Sequence, residues 1–257
     1  MCVCTPAAAA AAACCRVADE SSPGTFLICT VDQATNTLSG CASSSIVGYN
    51  GVQVPVGLVV KSGNAYIANR DSTCGVIQCT NAADLSGCSC ALTSAQNANL
   101  VRGITMSPDG NTLYFTSQTS VLGTNYGIVA CAMSGTTIGT CTVYDSATVL
   151  TGIHSSGSKL YVVARVVIGV NYARVWVCDP ATPNPATCVQ TGDTFPTGLL
   201  PSEPWGLSVF DSALYVPDNV DAKVCTDLNG ASSCSSTGLN LSPVVQGASS
   251  LFILPRP

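Results

Sequence analysis

The residues with most chemistry to offer in this 257-residue chain are its sixteen cysteines. They recur as pairs, Cys29/Cys41, Cys79/Cys88, Cys131/Cys141, Cys178/Cys188 and Cys225/Cys234, each closing a strand-like run and answered across a turn. Paired thiols either oxidise to disulfides or hold a soft metal, and a metal site needs close spacings such as C-x-x-C, which these pairs lack. A disulfide in each hairpin is therefore expected, with Cys74 and Cys90 as a further pair and no metal site. A four-thiolate site from Cys74, Cys79, Cys88 and Cys90 is the weaker alternative. Disulfides at this density persist only in an oxidising compartment, so the expected location is extracellular or at the cell surface.

Conventional catalytic groups are scarce. His154 is the single histidine, so any Ser-His-Asp or Cys-His arrangement would have to use it. A metal-assisted hydrolase would want carboxylates and amides converging on one opening, for which Asn69, Asp71, Asp218, Asn219 and Asp221 are the best supply. All five also suit turns, where Asn and Asp bond their own backbone. No catalytic constellation and no cofactor are expected, and the chain is read as a non-enzyme.

Binding chemistry is better represented. Tyr126, Tyr172, Arg102, Trp205 and Gln246, with Asn69 and Asp71, fall in loops that a repeat architecture would bring to one end. An aromatic ring stacks on the apolar face of a sugar while amides and guanidinium groups take its hydroxyls. The competing reading is that these aromatics cap the hydrophobic layers beneath them.

The elements that position these residues repeat with a period of about 50 residues, the signature of one supersecondary unit used again and again. Gly57-Leu58, Gly103-Ile104, Gly152-Ile153, Gly206-Leu207 and Gly247-Ala248 each open a first strand. Second strands follow at Ala65–Ala68, Leu113–Thr116, Leu160–Val163, Leu214–Val216 and Leu251–Ile253, rich in β-branched and aromatic residues. Third strands end in the first cysteine of a pair, fourth strands carry the second, and Asn229-Gly230 between Cys225 and Cys234 is a type I′ turn dipeptide. Four antiparallel strands per unit describe an all-β β-propeller, with five four-stranded blades expected. The chain starts with strands three and four alone, Phe26 to Ser43, and finishes with strands one and two, Gly247 to Leu254. Pairing of these N-terminal and C-terminal strands would close the ring. Residues 23–257 are read as a single propeller domain. Residues 1–22 are read as a Cys/Ala-rich extension or a weak signal-like segment, with its first basic residue, Arg16, on the wrong side of Ala7–Ala13 for a secretory signal.

Only 9% of the residues are charged, against roughly 25% in an average soluble protein. With a formal net charge of -5 and no Lys/Arg cluster, nucleic acid is excluded as a partner. No run reaches the ~20 apolar residues of a membrane-spanning helix, so membrane insertion is not expected either.

The run from Gly103 to Thr116, Gly-Ile-Thr-Met-Ser-Pro-Asp-Gly-Asn-Thr-Leu-Tyr-Phe-Thr, resembles the repeat of the YVTN and lactonase-like β-propeller family. Fainter copies lie at Gly152 to Val163 and Gly206 to Pro217. The resemblance covers the first half of each repeat and implies a propeller; the cysteine hairpins depart from it. Five-bladed propellers include glycosidases with carboxylates on their innermost strands. Here Gly57–Lys61, Gly103–Ser107, Gly152–Ser156 and Gly206–Phe210 hold neither Asp nor Glu. The leading expectation is thus a structural, assembly or adhesive module that self-assembles, as in a filament, or joins another extracellular protein. A carbohydrate-binding, lectin-like propeller with glycan partners is the alternative, and a lactonase-like hydrolase a distant one.

Overall fold

β-Branched and aromatic runs punctuated by Gly, Asn and Asp turns form strands almost throughout the computed structural model. It describes residues 12–19, 25–32, 37–47, 54–118, 126–168, 170–190, 195–196, 207–210, 213–218, 221–225, 234–236 and 251–253. The N-terminal strands are β1 (Ala12–Asp19), β2 (Thr25–Asp32) and β3 (Thr37–Ser45). A first complete sheet follows from β4 (Pro55–Lys61), β5 (Asn64–Asn69), β6 (Cys74–Asn81) and β7 (Ser86–Thr93). A second is made of β8 (Gly103–Met106), β9 (Thr112–Gln118), β10 (Tyr126–Ser134) and β11 (Thr137–Ser146). The third holds β12 (Val149–Ser156), β13 (Lys159–Ile168), β14 (Val170–Cys178), β15 (Val189–Gln190) and β16 (Phe195–Pro196). Then come β17 (Ser208–Phe210), β18 (Ala213–Asp218), β19 (Asp221–Cys225) and β20 (Cys234–Ser236), and lastly β21 (Leu251–Ile253).

Among the described residues every pairing is antiparallel between sequence neighbours, except that β14 also pairs β16 and that β21 pairs β1, with Arg16 opposite Phe252. The order in this last sheet is β21-β1-β2-β3. That differs from the sequence expectation, which drew two strands from residues 247–254. One strand, β1, comes instead from the stretch read as an extension. Its alanine and cysteine content concealed it, since alanine is depleted in strands.

Successive sheets bury both faces against their neighbours. Val56, Tyr66 and Val76 of the first meet Ile104, Phe115, Val129 and Met133 of the second. The opposite face of the second sheet turns Tyr114 and Ile128 toward Leu150, Ile153, Val162 and Trp176 of the third. Leu58, Ile67 and Ile77 form a further layer on the other side of the first sheet, joined by Ile46. The side-chain period of two along each strand produces this two-sided burial. At Gly103 the approach is closest: an added Cβ would lie 3.0 Å from the Ile153 nitrogen and 3.1 Å from the Thr151 carbonyl oxygen.

In the three central sheets the hairpin sulfurs behave as their spacing predicted. Cys79–Cys88, Cys131–Cys141 and Cys178–Cys188 are disulfides, and Cys74–Cys90 is a second staple on β6 and β7. Cys79 faces Cys88 and Cys131 faces Cys141 directly in register. Cys225 and Cys234 are also in direct register in the backbone, and their sulfurs lie outside the described side chains. These disulfides point to an oxidising environment.

One hairpin corrects the expectation of directly opposed cysteines. Cys41 is not in ladder register with Cys29, although the sequence reading paired them. The β2–β3 register passes from Ile28 opposite Ala42 to Thr30 opposite Ser39, so Gly40 and Cys41 together oppose the single residue Cys29. Two residues against one is the count of a β-bulge, which spacing along the chain does not reveal. The direct ladder partner of Cys29 is Cys15 of β1, on its other side. The sulfurs of Cys29 and Cys41 lie outside the described side chains, so the expected disulfide between them is not among those described. Cys188 stands opposite Cys178, with the two Cα atoms 4.4 Å apart, but precedes a strand rather than occupying one. Pro180, Pro183 and Pro185 crowd that hairpin, and proline cannot donate to a ladder, so only Val189 and Gln190 pair.

Candidate functional site

The loops between second and third strands and those entering first strands share one end of each sheet. At that end the connection from β7 to β8 opens with a 3-10 turn, Ser94–Gln96, and turns back at Asn97 with φ 64°. Asn tolerates this left-handed region better than most residues. Ser117 fastens the connection to β9: its hydroxyl, with one proton to donate, lies 2.7 Å from the Asn97 carbonyl and 2.8 Å from the Asn99 carbonyl, and accepts from the Asn99 N–H (3.0 Å). The Leu100 N–H donates to the Asp71 carbonyl at 3.2 Å, tying the first sheet's loop to the entrance of the second.

Arg102 emerges from this anchored segment as the residue before β8. It is 9% exposed, and its guanidinium carbon stands 5.9 Å from the centroid of the Tyr126 ring, at the first residue of β10. Two residues singled out separately in the sequence thus meet in a cation–π arrangement. Tyr126 keeps partial exposure.

Asn69 is completely buried; its Nδ2 donates to the Cys74 carbonyl (2.8 Å) and its Oδ1 accepts from the Val54 N–H (3.3 Å). The Asp71 carboxylate caps the turn that follows, accepting from the N–H groups of Thr73 (2.7 Å) and Cys74 (3.0 Å). Both side chains therefore serve the loop that carries them. Tyr172, expected in a loop, has its backbone in β14 opposite Val166, because β13 and β14 continue as a long hairpin past the other sheets' ends. Trp205 and Gln246 lie outside the described residues.

His154 sits on β12 opposite Tyr161. Burial pushes its pKa down to about 4, so the imidazole is neutral at neutral pH. Its neighbour Ser155 donates its N–H to the Thr105 hydroxyl of β8 at 3.1 Å, joining two first strands. Among the described residues no group of three or more His, Cys, Asp or Glu side chains converges as a metal site.

A groove of about 540 Å³ at the opposite end, between the second and third sheets, was not marked in the sequence. Its signal was the run of small residues at Ala130 and Ala132 beside Thr140 and Thr142, which reads as ordinary surface strand.

No protein-family model matches this sequence. No curated protein matches it either. Among solved structures the chain is similar to a Bacteroides uniformis protein provisionally designated a 6-phosphogluconolactonase, at 15% identity and TM-score 0.47 over 93% of this chain and 70% of that one. It is similar to the periplasmic gluconolactonase of Pseudomonas aeruginosa at 12% identity and TM-score 0.47, covering 96% of this chain and 100% of that one. A third is the Pan2 WD40 domain of Neurospora crassa, at 7% identity and TM-score 0.41 over 89% and 79% of the two chains. At these values no residue role or substrate passes to this chain. The expectation of a non-enzyme is nevertheless corrected: proteins designated lactonases stand among the similar structures, and the chain is no longer read as excluded from catalysis.

Proposed function

We propose that this chain is an extracellular lactonase-like β-propeller of five blades, which takes a small sugar acid or its lactone at the end where Arg102 and Tyr126 meet. The observation that carries the reading is the Arg102 guanidinium 5.9 Å from the Tyr126 ring centroid, on a segment anchored by Ser117 and Asp71. A ring with a cation beside it matches a ligand that has both an apolar sugar face and a carboxylate or lactone carbonyl. In a chain so poor in charge, a positioned cation is a selective feature.

Five blades are supported by the order of contacts between first strands. β4 packs beside β8, β8 beside β12, β12 beside β17 and β17 beside β21, while β1 of the last sheet reaches β4. The lactonase-like reading is supported by the run from Gly103 to Thr116, which folds as β8, a turn and β9 in antiparallel register.

Calorimetric titration with gluconate, and hydrolysis of glucono-1,5-lactone followed by proton release, test the proposal. Saturable gluconate binding that is lost in Tyr126→Ala and weakened about tenfold in Arg102→Lys supports it. Arg102→Lys keeps the stem and charge but removes the planar fork, so the fold is retained. Absence of both binding and turnover in the wild type contradicts it.

A further inference from the structure

The two layers flanking the second sheet are filled differently. On the side facing the first sheet, Met133, Ile138 and Val143 carry the apolar packing out to the hairpin end. On the side facing the third sheet, the inner strands are packed by Tyr114, Ile128 and Trp176, but the outer positions are Ala130, Ala132, Thr140 and Thr142. Register accounts for the shared face: Ala130 pairs with both Tyr114 and Thr142, and Ile128 pairs with Tyr144. Small residues there leave the groove of about 540 Å³ open instead of closed.

Its chemistry is specific. Ala130 and Ala132 make an apolar floor, and Thr140 and Thr142 supply hydroxyls. Tyr144, partly exposed, supplies a ring. No Lys or Arg lines it, and the one charged lining residue is Asp109. The Asp109 carboxylate is held by the hydroxyl of Ser107 (2.6 Å) and the backbone and side-chain amides of Asn111 (3.0 and 2.9 Å). These bonds fix it at the groove's edge as an acceptor, on a turn whose Gly110 carbonyl accepts from the Lys61 ammonium outside the lining. The volume falls within the range of about 300–1,000 Å³ usual for small-molecule sites.

We propose that this groove is a second, separate binding site, for a neutral saccharide of about disaccharide size. Tyr144 stacks on a pyranose face, the threonine hydroxyls and the Asp109 carboxylate take ring hydroxyls, and the alanine floor admits the ring's apolar side. The site does not depend on the reading given to Arg102 and Tyr126, which lie at the other end of the sheet.

The test is a titration of the intact, oxidised chain with cellobiose, followed by amide chemical shifts. Saturable shifts centred on Ala130, Ala132 and Tyr144 are expected. Thr142→Arg, an exposed change that fills the groove, abolishes them while leaving gluconate binding as in the wild type. Tyr144→Ala weakens cellobiose binding about tenfold or more, and Ala132→Gln, also exposed, reproduces the loss by a second route. A uronic-acid disaccharide binds about tenfold less tightly than cellobiose because of Asp109. No binding of cellobiose, binding indifferent to Thr142→Arg and Ala132→Gln, or equal binding of the charged disaccharide would overturn the proposal.

Discussion

The Tyr114 hydroxyl donates a 2.9 Å hydrogen bond to the Pro180 carbonyl, reaching from the second strand of one sheet to the outer hairpin of the next. The equivalent residue one repeat earlier does the same: the Tyr66 hydroxyl donates to the Thr136 carbonyl at 2.5 Å, where the Gln78 amide also donates at 3.2 Å. A tyrosine in the middle of each of these second strands therefore ties its sheet to the hairpin that follows. Tyr114→Phe keeps the ring packing and removes the bond. The expected cost is about 1 kcal/mol, read as a fall in Tm of about 2–4 °C. Tyr66→Phe is expected to cost a similar amount.

Burial raises the pKa of Tyr66, Tyr114 and Tyr161. A phenol whose folded pKa lies above its unfolded value favours the folded state at every pH below about 10, and that contribution is lost as pH climbs past 10 toward the folded value. Chemical denaturation across pH 8 to 12 should give a plateau followed by a decline. The decline should be shallower in Tyr114→Phe.

His154 works in the opposite direction. With its folded pKa lowered to about 4, the unfolded chain binds a proton that the folded chain refuses. Stability is full above about pH 6.5 and falls as pH drops toward 4, by at most about 3 kcal/mol. His154→Gln should flatten that interval, with urea midpoints at pH 7 and pH 4.5 as the measurement.

The disulfides contribute by closing loops in the unfolded chain, a term that grows only with the logarithm of loop length. Replacing Cys131 and Cys141 together by Ala should cost about 2–3 kcal/mol, and partial reduction should leave the doubly stapled β6–β7 hairpin until last. Mass spectrometry of alkylated intermediates reads the order.

Glycine at two positions is a packing requirement. An added Cβ at Gly75 would lie 2.0 Å from the Ala98 carbonyl oxygen, and at Gly103 it would press on the backbone of Thr151 to Ile153. Gly75→Ala should cost more than about 3 kcal/mol and Gly103→Ala about 1–3 kcal/mol by thermal denaturation.

Much of this fold was legible in the chain because its signals are periodic. The Gly-opened first strands, the aromatic second strands and the cysteine hairpins each report a local rule, and β4, β5, β8, β9, β12, β13, β17 and β18 fall where those rules put them. β1 was not legible, since Ala, Cys and Arg carry little strand preference and its register comes from β2 and β21. The offset of Cys41 from Cys29 was hidden for a related reason, because one extra residue in a strand alters the pairing without altering the residue types. Of the site, Arg102 and Tyr126 were recognised singly, but their meeting depends on how Ser117 and Asp71 hold the β7–β8 connection that delivers Arg102. Asn69 and Asp71 looked like ligand donors because loop-capping and ligand-binding use the same residue types. The groove went unseen because it consists of missing volume, and a missing side chain leaves no mark until two sheets are placed face to face.

The central claim is tested most directly by a crystal structure of the oxidised chain soaked with gluconate. The account predicts ligand density over the Tyr126 ring, with the carboxylate within hydrogen-bond distance of the Arg102 guanidinium. Density bound elsewhere with Arg102 and Tyr126 untouched, or a structure in which these two side chains stand apart, would contradict it.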